Sequence, residues 1–295
     1  MNSRPLIVIA GCTASGKSSI ALRLAKEING MIINADSRQV YKEITIGSAK
    51  PKPDEVKDGI FIIDGIKHYL YSYVSVKENY NLYRYQKDVF ALLKSLPKNT
   101  VPILVGGTGL YIDSVVYNYK LKEKGEEEKD MDWNSLNIEE LQGLIGREKL
   151  AKLNDSDKQN PRRLIHIIKH GLPSIQKGEP LSHLYFFLDI EQERIKENIR
   201  LRAENMIEEG LINENEMIRR EGLDKYPALD TIGYKEFDGY FEKKKNLNDV
   251  KEEIITHTNQ YAKRQRTWFK RNKEIIYVKD FQTTLKTTKT YLNSI

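Results

Sequence analysis

Residues 6–19 read LIVIAGCTASGKSS: an apolar run, Leu6–Ala10, opens into a loop that carries Gly11, Gly16, Lys17 and Ser18. The spacing is G-x-x-x-x-G-K-S, and the apolar residues of the following SSIALRLAKEI (18–28) recur with helical periodicity. A strand, this loop and a helix, in that order, make a cradle for phosphate. The glycines let backbone N–H groups turn toward phosphate oxygens, and the positive end of the helix points at the same place. Lys17 adds a mobile positive charge, and the Ser18 hydroxyl can ligate Mg2+. The candidate phosphate-binding set is therefore Gly11, Cys12, Thr13, Ala14, Ser15, Gly16, Lys17 and Ser18. A polyphosphate ligand follows from this loop, but its identity does not.

The strand–loop–helix pattern recurs through the first third of the chain. Met31–Asn34 predicts a second strand, ending just before Asp36; 83–96 predicts a helix; Val101–Val105 predicts a third buried strand, which runs straight into GGTGLY. Strands alternating with helices predict an α/β fold, a P-loop NTPase-like parallel sheet flanked by helices. From about Lys120 the character changes to short charged helical segments at 138–145, 148–153 and 162–170. Residues 120–183 are expected to form a helical insertion domain between core segments 1–119 and 184–295, with YFFL (185–188) returning to the sheet. Long helical patterns follow at 191–209 and 249–273. No apolar strand ending in the acidic residue that supports Mg2+ in ordinary NTPases is evident, nor is any nucleoside-binding signature.

Two further loops carry chemistry at predicted strand ends, where open parallel sheets place their ligands. In INADSRQVYKEITIGSAKP (33–51), Asp36 can serve as a general base, with Ser37, Arg38 and Gln39 beside it. Gln39 has the paired donor and acceptor that read an adenine edge. The plainer alternative is an Asp cap followed by solvated residues. In VGGTGLY (105–111), Thr108 and the glycine backbone are expected to face the same cleft as the first loop, or else to form only a tight turn.

The composition sets limits on partners and compartment. With 48 basic and 42 acidic residues the net charge is +6, and YAKRQRTWFKRNK (261–273) concentrates six basic residues with no acidic one. Its Lys263, Arg264 and Arg266 can track a nucleic-acid backbone or form a solvated face. The stretch 123–130 is mainly acidic. No apolar stretch approaches membrane-span length and the N-terminus lacks a signal-peptide pattern, so a cytoplasmic protein is expected. A single cysteine, Cys12, excludes an internal disulfide and a cysteine-based zinc site.

Taken together, GCTASGKS, NADSRQVYK, IGSAKP, LVGGTGLYI, IGYKE and QYAKRQRTWF resemble the tRNA dimethylallyltransferase (isopentenyltransferase) family, in the family's order and over nearly the whole chain. NADSRQVYK and YAKRQRTWF are the specific signatures. The resemblance implies transfer of a dimethylallyl group from dimethylallyl diphosphate to N6 of the adenosine just 3′ of the anticodon, position 37. The implied acceptors are tRNAs reading codons that begin with U, and the implied product is N6-isopentenyladenosine. It also implies roles: Asp36, Lys17 and Thr108 in catalysis, residues 11–18 for the diphosphate, and Mg2+ at Ser18. The implied tRNA contacts are Asp36, Ser37, Arg38, Gln39, Thr108, Arg163, Lys263, Arg264 and Arg266, with the insertion on the anticodon arm. A monomer without membrane attachment is expected.

The chain departs from the family pattern in places. Cys12 stands at a usual proline, and in KQNPRRLIHIIKHG (158–171) Arg163 fits while His166 and Lys169 do not. An arginine expected in the insertion falls near Asp130, Asn198 stands where arginine is frequent, and Arg202 fits its motif position. Two alternatives follow: a P-loop nucleotide or small-molecule kinase, and a non-catalytic tRNA-binding paralogue.

Overall fold

The computed structural model describes residues 5–122, 133–172 and 176–295; the acidic stretch 123–130 and the Asp130 position lie outside them. The chain divides into two compact units, one of residues 1–118 with 179–295 and one of 119–178.

The larger unit is built on an eight-stranded sheet. Its strands are β1 (Leu6–Gly11), β2 (Gly30–Asn34), β3 (Glu55–Lys57), β4 (Ile60–Ile63), β5 (Ile66–Tyr69), β6 (Val101–Gly106), β7 (His183–Leu188) and β8 (Ile276–Val278). The spatial order is β3-β4-β5-β2-β6-β1-β7-β8. From β5 to β8 all neighbours are parallel, while β3, β4 and β5 pair antiparallel at one edge. The four central strands β2, β6, β1 and β7 are the nearly continuous apolar runs of the sequence, as strands covered on both faces must be.

Three helices precede the smaller unit: α1 (Lys17–Glu27), α2 (Leu82–Ser95) and α3 (Gly109–Val116). The smaller unit holds α4 (Ile138–Ile145), α5 (Arg147–Ala151), α6 (Asp155–Lys158) and α7 (Pro161–His170). The chain then adds α8 (Gln192–Glu208), α9 (Leu211–Arg220), α10 (Asp238–Phe241), α11 (Leu247–Phe269) and α12 (Phe281–Asn293).

Strand alternation sorts the core into two layers. Ile7, Ile9, Ile103, Val105, Phe186 and Leu188 face α1 and α12, packing on Ala21, Leu24, Ala25, Phe281 and Leu285. The opposite face carries Tyr185 and Phe187, which meet Phe269 of α11 at ring-centroid distances of 6.3 and 5.2 Å. On that side Tyr85 of α2 stacks on Tyr111 of α3 at 4.0 Å, and its hydroxyl donates to the Asn34 carbonyl at 2.9 Å.

In the smaller unit, Leu141, Ile145, Leu164 and Ile167 of α4 and α7 form the core. Three asparagines, Asn137, Asn154 and Asn160, cap α4, α6 and α7, and Pro161 occupies the first turn of α7. Against the expected insertion boundaries of 120–183, the compact unit spans 119–178, and residues 179–182 precede β7 in the larger unit.

Elements not foreseen from the sequence include the β3–β5 meander, β8, α6, α9, α10 and α12. Strands β3 and β8 have three residues each, and most of their side chains are exposed, so neither shows a readable period. Strand β7 is an apolar strand beside β1, and Asp189, which follows its last residue, pairs with Arg266 and does not line the pocket of Lys17 and Ser18.

Gly106, at the end of β6, is where the backbone of the second loop comes closest: a Cβ there would lie 2.1 Å from the Ala35 carbonyl oxygen. Gly106→Ala is expected to cost about 1–3 kcal/mol, because backbone cannot yield as a side chain can. Gly143 of α4 has nothing within 4 Å of the same position. Gly143→Ala should be neutral or stabilising by up to about 1 kcal/mol. Urea unfolding midpoints of the two variants check the contrast.

Candidate active site

Three loops at the C-terminal ends of β1, β2 and β6 converge, because these strands are neighbours in the order β2-β6-β1. In the first, Ala14 and Gly16 take positive φ of 59° and 85°, turning the loop so that α1 starts at Lys17. Gly16 adopts this left-handed conformation without strain. Lys17 is partly buried, and its Nζ donates to the Cys12 carbonyl at 3.2 Å. Burial lowers its pKa from the ordinary lysine range to about 8, while the Asp36 carboxylate opposes that shift and Arg202 adds to it. The Ser15 hydroxyl is buried without a hydrogen-bond partner.

The loop is held from outside by two helices. From α8, Asn198 donates to the Ala14 carbonyl at 2.9 Å. Arg202 donates to Thr13 Oγ1 at 3.0 Å and to the Ser48 carbonyl at 3.2 Å. From α11, Gln265 accepts from Thr13 N at 2.8 Å and donates to the Gly107 carbonyl at 2.9 Å. One carboxamide thus ties the first loop to the third. Cys12 is buried and donates from Sγ to the Ala262 carbonyl of α11 at 3.3 Å, and burial pushes its thiol pKa up.

The second loop is a compact turn. Asp36 Oδ1 accepts from Arg38 N at 2.9 Å and closes a turn with no helix after it, so the helix-cap alternative is not realised, and Asp36 lines the site. Thr108 Oγ1 accepts from Ser37 N at 3.1 Å, which brings the third loop against the second. The Tyr261 hydroxyl lies against Thr108 and Gln265, and burial with the nearby Asp36 charge pushes its pKa up to about 12. Gln39 uses both amide hydrogens on the Ser48 and Ala49 carbonyls, at 3.0 and 3.1 Å. Its donor side is thereby occupied by the loop it closes. Arg38 donates to the Ala228 carbonyl at 3.1 Å.

IGSAKP and IGYKE, separated by more than 180 residues, also meet here. Glu214 accepts from Ile46 N at 2.9 Å, from Gly47 N at 3.2 Å and from the Tyr234 hydroxyl at 2.5 Å. A Cβ on Gly47 would lie 2.5 Å from the Tyr234 ring.

These contacts enclose two adjoining spaces. A small polar pocket of about 60 Å³ is lined by Thr13, Lys17, Ser18, Asp36, Gln39 and Arg202, together with Tyr71 and the end of β6. A cavity of about 310 Å³ shares Thr13, Asp36 and Arg202 with it. Its lining combines polar residues, among them Ser37, Arg38, Ser48, Asp230, Lys235, Tyr261 and Arg264, with the apolar Ile44, Ile199, Ala203, Met206, Ile232 and Ile254. A phosphate ester with an apolar tail, set beside a carboxylate, matches this division of surface. Among the described residues no cluster of three or more His, Cys, Asp or Glu side chains could hold a metal by itself. The pocket instead offers two hard oxygen donors, the Ser18 hydroxyl and the Asp36 carboxylate, which suits a cation shared with phosphate oxygens and water.

The remaining sequence candidates lie in different settings. Arg264 lines the cavity and sits over the Tyr261 ring at 5.8 Å, and Lys263 is exposed beside a separate groove. Arg266 turns inward: its guanidinium meets Asp189 Oδ1 at 2.8 Å and the Ile190 carbonyl at 2.7 Å. The acidic end of β7 is thereby tied to α11. Arg163 belongs to the smaller unit, where its side chain pairs with Asp157 at 3.1 Å.

The sequence profile of the IPP transferase family matches residues 39–272, and that of isopentenyl transferases matches residues 5–68. A protein of Trichormus variabilis named tRNA dimethylallyltransferase is 38% identical over 274 residues, covering 90% of each chain. The same name is carried by a Gloeothece citriformis protein, 39% identical over 284 residues, covering 92% of this chain and 90% of the relative. The chain belongs to the tRNA dimethylallyltransferase (IPP transferase) family. Among solved structures, the tRNA isopentenylpyrophosphate transferase of Bacillus halodurans superposes with a TM-score of 0.73 at 27% identity, covering 99% of this chain and 96% of that one. The corresponding transferase of Staphylococcus epidermidis gives 0.73 at 29%, covering 99% and 100%.

Within this family fold, Arg202 and Gln265 are the site residues that sequence reasoning underused. Arg202 does break an otherwise apolar helical face, Ile195, Ile199, Ala203 and Met206. A lone arginine on a buried face is a legible sign of a built anion site. Gln265 sits on the inward face of α11 as its spacing predicts, but its two partners are known only from the fold.

The Lys17 value sets a pH test. Its ammonium form is complete well below pH 8 and is lost as pH rises through about 8. Inorganic diphosphate should therefore bind more weakly from pH 7 to 9, with proton uptake on binding near pH 8. Lys17→Arg, which stays charged, should lose that proton uptake. Calorimetry in buffers of different ionisation enthalpy measures it, and equal proton uptake in the two proteins would exclude the assignment.

Proposed function

We propose that this chain transfers a dimethylallyl group from dimethylallyl diphosphate to N6 of the adenosine 3′ of a tRNA anticodon. The observation that carries the reading is the adjacency of a polar phosphate pocket and a half-apolar cavity with Asp36 and Arg202 common to both. A kinase would have no need of the apolar wall, and the family to which the chain belongs gives no support to that alternative.

The reaction breaks the bond between the allylic carbon C1 and its diphosphate oxygen and forms a bond from N6 to C1. The electron pair of the broken bond leaves with the diphosphate, and one amine proton must be removed. An adenine amine is a weak nucleophile because its lone pair is delocalised into the ring. Asp36, held by the Arg38 backbone N–H, would accept the proton. Negative charge grows on the departing oxygen, and Lys17 and Arg202, which line the small pocket, would stabilise that charge. Burial pushes the Arg202 guanidinium pKa down, with Asp36 opposing, but arginine keeps its charge in proteins. Ser18 would hold Mg2+, which when bound neutralises part of the diphosphate charge. Ser37 and Thr108, bonded to each other, are positioned to contact the acceptor nucleotide beside Asp36.

An unstacked base is required, since the amine must reach a cavity inside the protein. Arg38 and Arg264 border the cavity and would meet the flanking phosphates. Lys263 on the outer face of α11 and Arg163 in the smaller unit would extend the contact along the anticodon arm. Arg266 supports that surface from within, through Asp189.

Incubation with labelled dimethylallyl diphosphate, Mg2+ and tRNAs reading codons that begin with U tests the reading directly. Label should enter tRNA and be recovered as N6-isopentenyladenosine. Asp36→Ala should abolish turnover while tRNA affinity stays within about tenfold, or about 1.4 kcal/mol. Intact tRNA binding by the unaltered protein with no label transferred would defeat the proposal. A large loss of tRNA affinity in Asp36→Ala would make Asp36 a binding residue instead of the base.

A further inference from the structure

We infer that Met206 sets the length of the prenyl group that this enzyme accepts, by forming the partition that ends the donor pocket. The inference rests on the prenyl-transfer reading above.

The argument begins with the direction of the tail. Diphosphate is confined to the small pocket of Lys17 and Ser18, and the amine must approach Asp36. Ser37, Arg38 and Tyr261 in the cavity lining suit the polar acceptor. Apolar tail carbons then suit the face of α8 that carries Ile199, Ala203 and Met206, with Ile232 and Ile254 packed beside it. These α8 residues stand at spacings of four and three, one stripe of a helix.

Beyond that stripe lies a second space. An open cleft of about 550 Å³ is lined by Ile46, Ala49, Arg194, Asn198, Leu201 and the outer side of the phosphate loop, among others. Only two residues border both this cleft and the main cavity: Arg202 and Met206. Arg202 is fixed by hydrogen bonds to Thr13 and Ser48, so the side chain that closes the apolar part of the wall is Met206. It is 7% exposed and packs in the cluster that includes Ile46 and Ala49 on the cleft side and Ile232 and Ile254 on the cavity side. On this inference a five-carbon tail ends at this wall, and one more isoprene unit meets it. Cutting Met206 back to Ala removes the apolar side chain that both spaces share, with Ile46 and Ala49 beyond it. The chemistry is otherwise unchanged: C1 leaves its diphosphate oxygen, bonds N6, and the proton goes to Asp36.

The test supplies either dimethylallyl or geranyl diphosphate, with tRNA and Mg2+, to the unaltered enzyme, Met206→Ala, Met206→Val and Leu201→Ala. Product nucleosides are identified by mass spectrometry, and a thermal melt confirms that each variant is folded. The unaltered enzyme should transfer only the five-carbon group. In Met206→Ala the ratio of kcat/KM for geranyl over dimethylallyl diphosphate should rise by about tenfold or more. Met206→Val removes less volume and should move the ratio the same way by less. Leu201, 51% exposed, borders the cleft alone, and Leu201→Ala should leave the ratio unchanged.

Three results would overturn the inference: folded Met206 variants that both still reject the ten-carbon donor, an unaltered enzyme that uses both donors equally, or an equal shift in Leu201→Ala. No product from the unaltered enzyme with dimethylallyl diphosphate would defeat the parent reading, and this one with it. Should Met206→Ala fail to fold, Met206→Val decides the matter alone.

Discussion

The Gln265 carboxamide is the constraint on which the rest of the site depends. It accepts from Thr13 N and donates to the Gly107 carbonyl, joining loops about a hundred residues apart through a helix near the end of the chain. A carboxamide has one accepting and one donating end, so no carboxylate or apolar residue satisfies both partners. A Cβ on Gly107 would lie 2.1 Å from its nitrogen, which shows how closely the third loop is drawn in. Because the bond pair is buried, water cannot compensate for losing either half.

Other buried polar contacts extend the same arrangement outward. Arg202 and Asn198 brace the first loop from α8, Thr108 braces the second loop from the third, and Glu214 with Tyr234 braces the wall of the cavity. Lys17 and Arg202 share one low-dielectric pocket with a single carboxylate, Asp36, between them in charge terms. Two cations against one anion leave that pocket wanting a negative ligand. An anion such as a phosphate group would balance that excess.

The fold was largely legible because its central strands and α1 are long, apolar and regularly spaced. The boundaries of β1, β6, α2, α4 and α7 fall within a residue or two of the sequence reading. The β3–β5 meander, β8 and α12 escaped it. Their side chains are short runs, mostly polar or half-exposed, whose structure comes from pairing and packing with the sheet, not from their own pattern. YFFL (185–188) reads as a strand from its own residues, but only the fold shows that it pairs with β1 and that Asp189 after it is held by Arg266.

By itself the sequence determined the phosphate cradle, the parallel sheet and the family. Each of these rests on local spacing, glycine conformation or an ordered set of short motifs, all properties of neighbouring residues. Tertiary structure alone decided which polar side chains serve the site and which serve the scaffold. It turned Arg266 inward to Asp189, committed the Gln39 donors to its own loop, brought Arg202 and Gln265 onto Thr13, and set Met206 between two cavities. The physical reason is that a hydrogen bond or a shared cavity wall depends on distance in space. Helices α8 and α11 meet the phosphate loop across 184 and 252 residues of sequence, so no local pattern specifies those contacts.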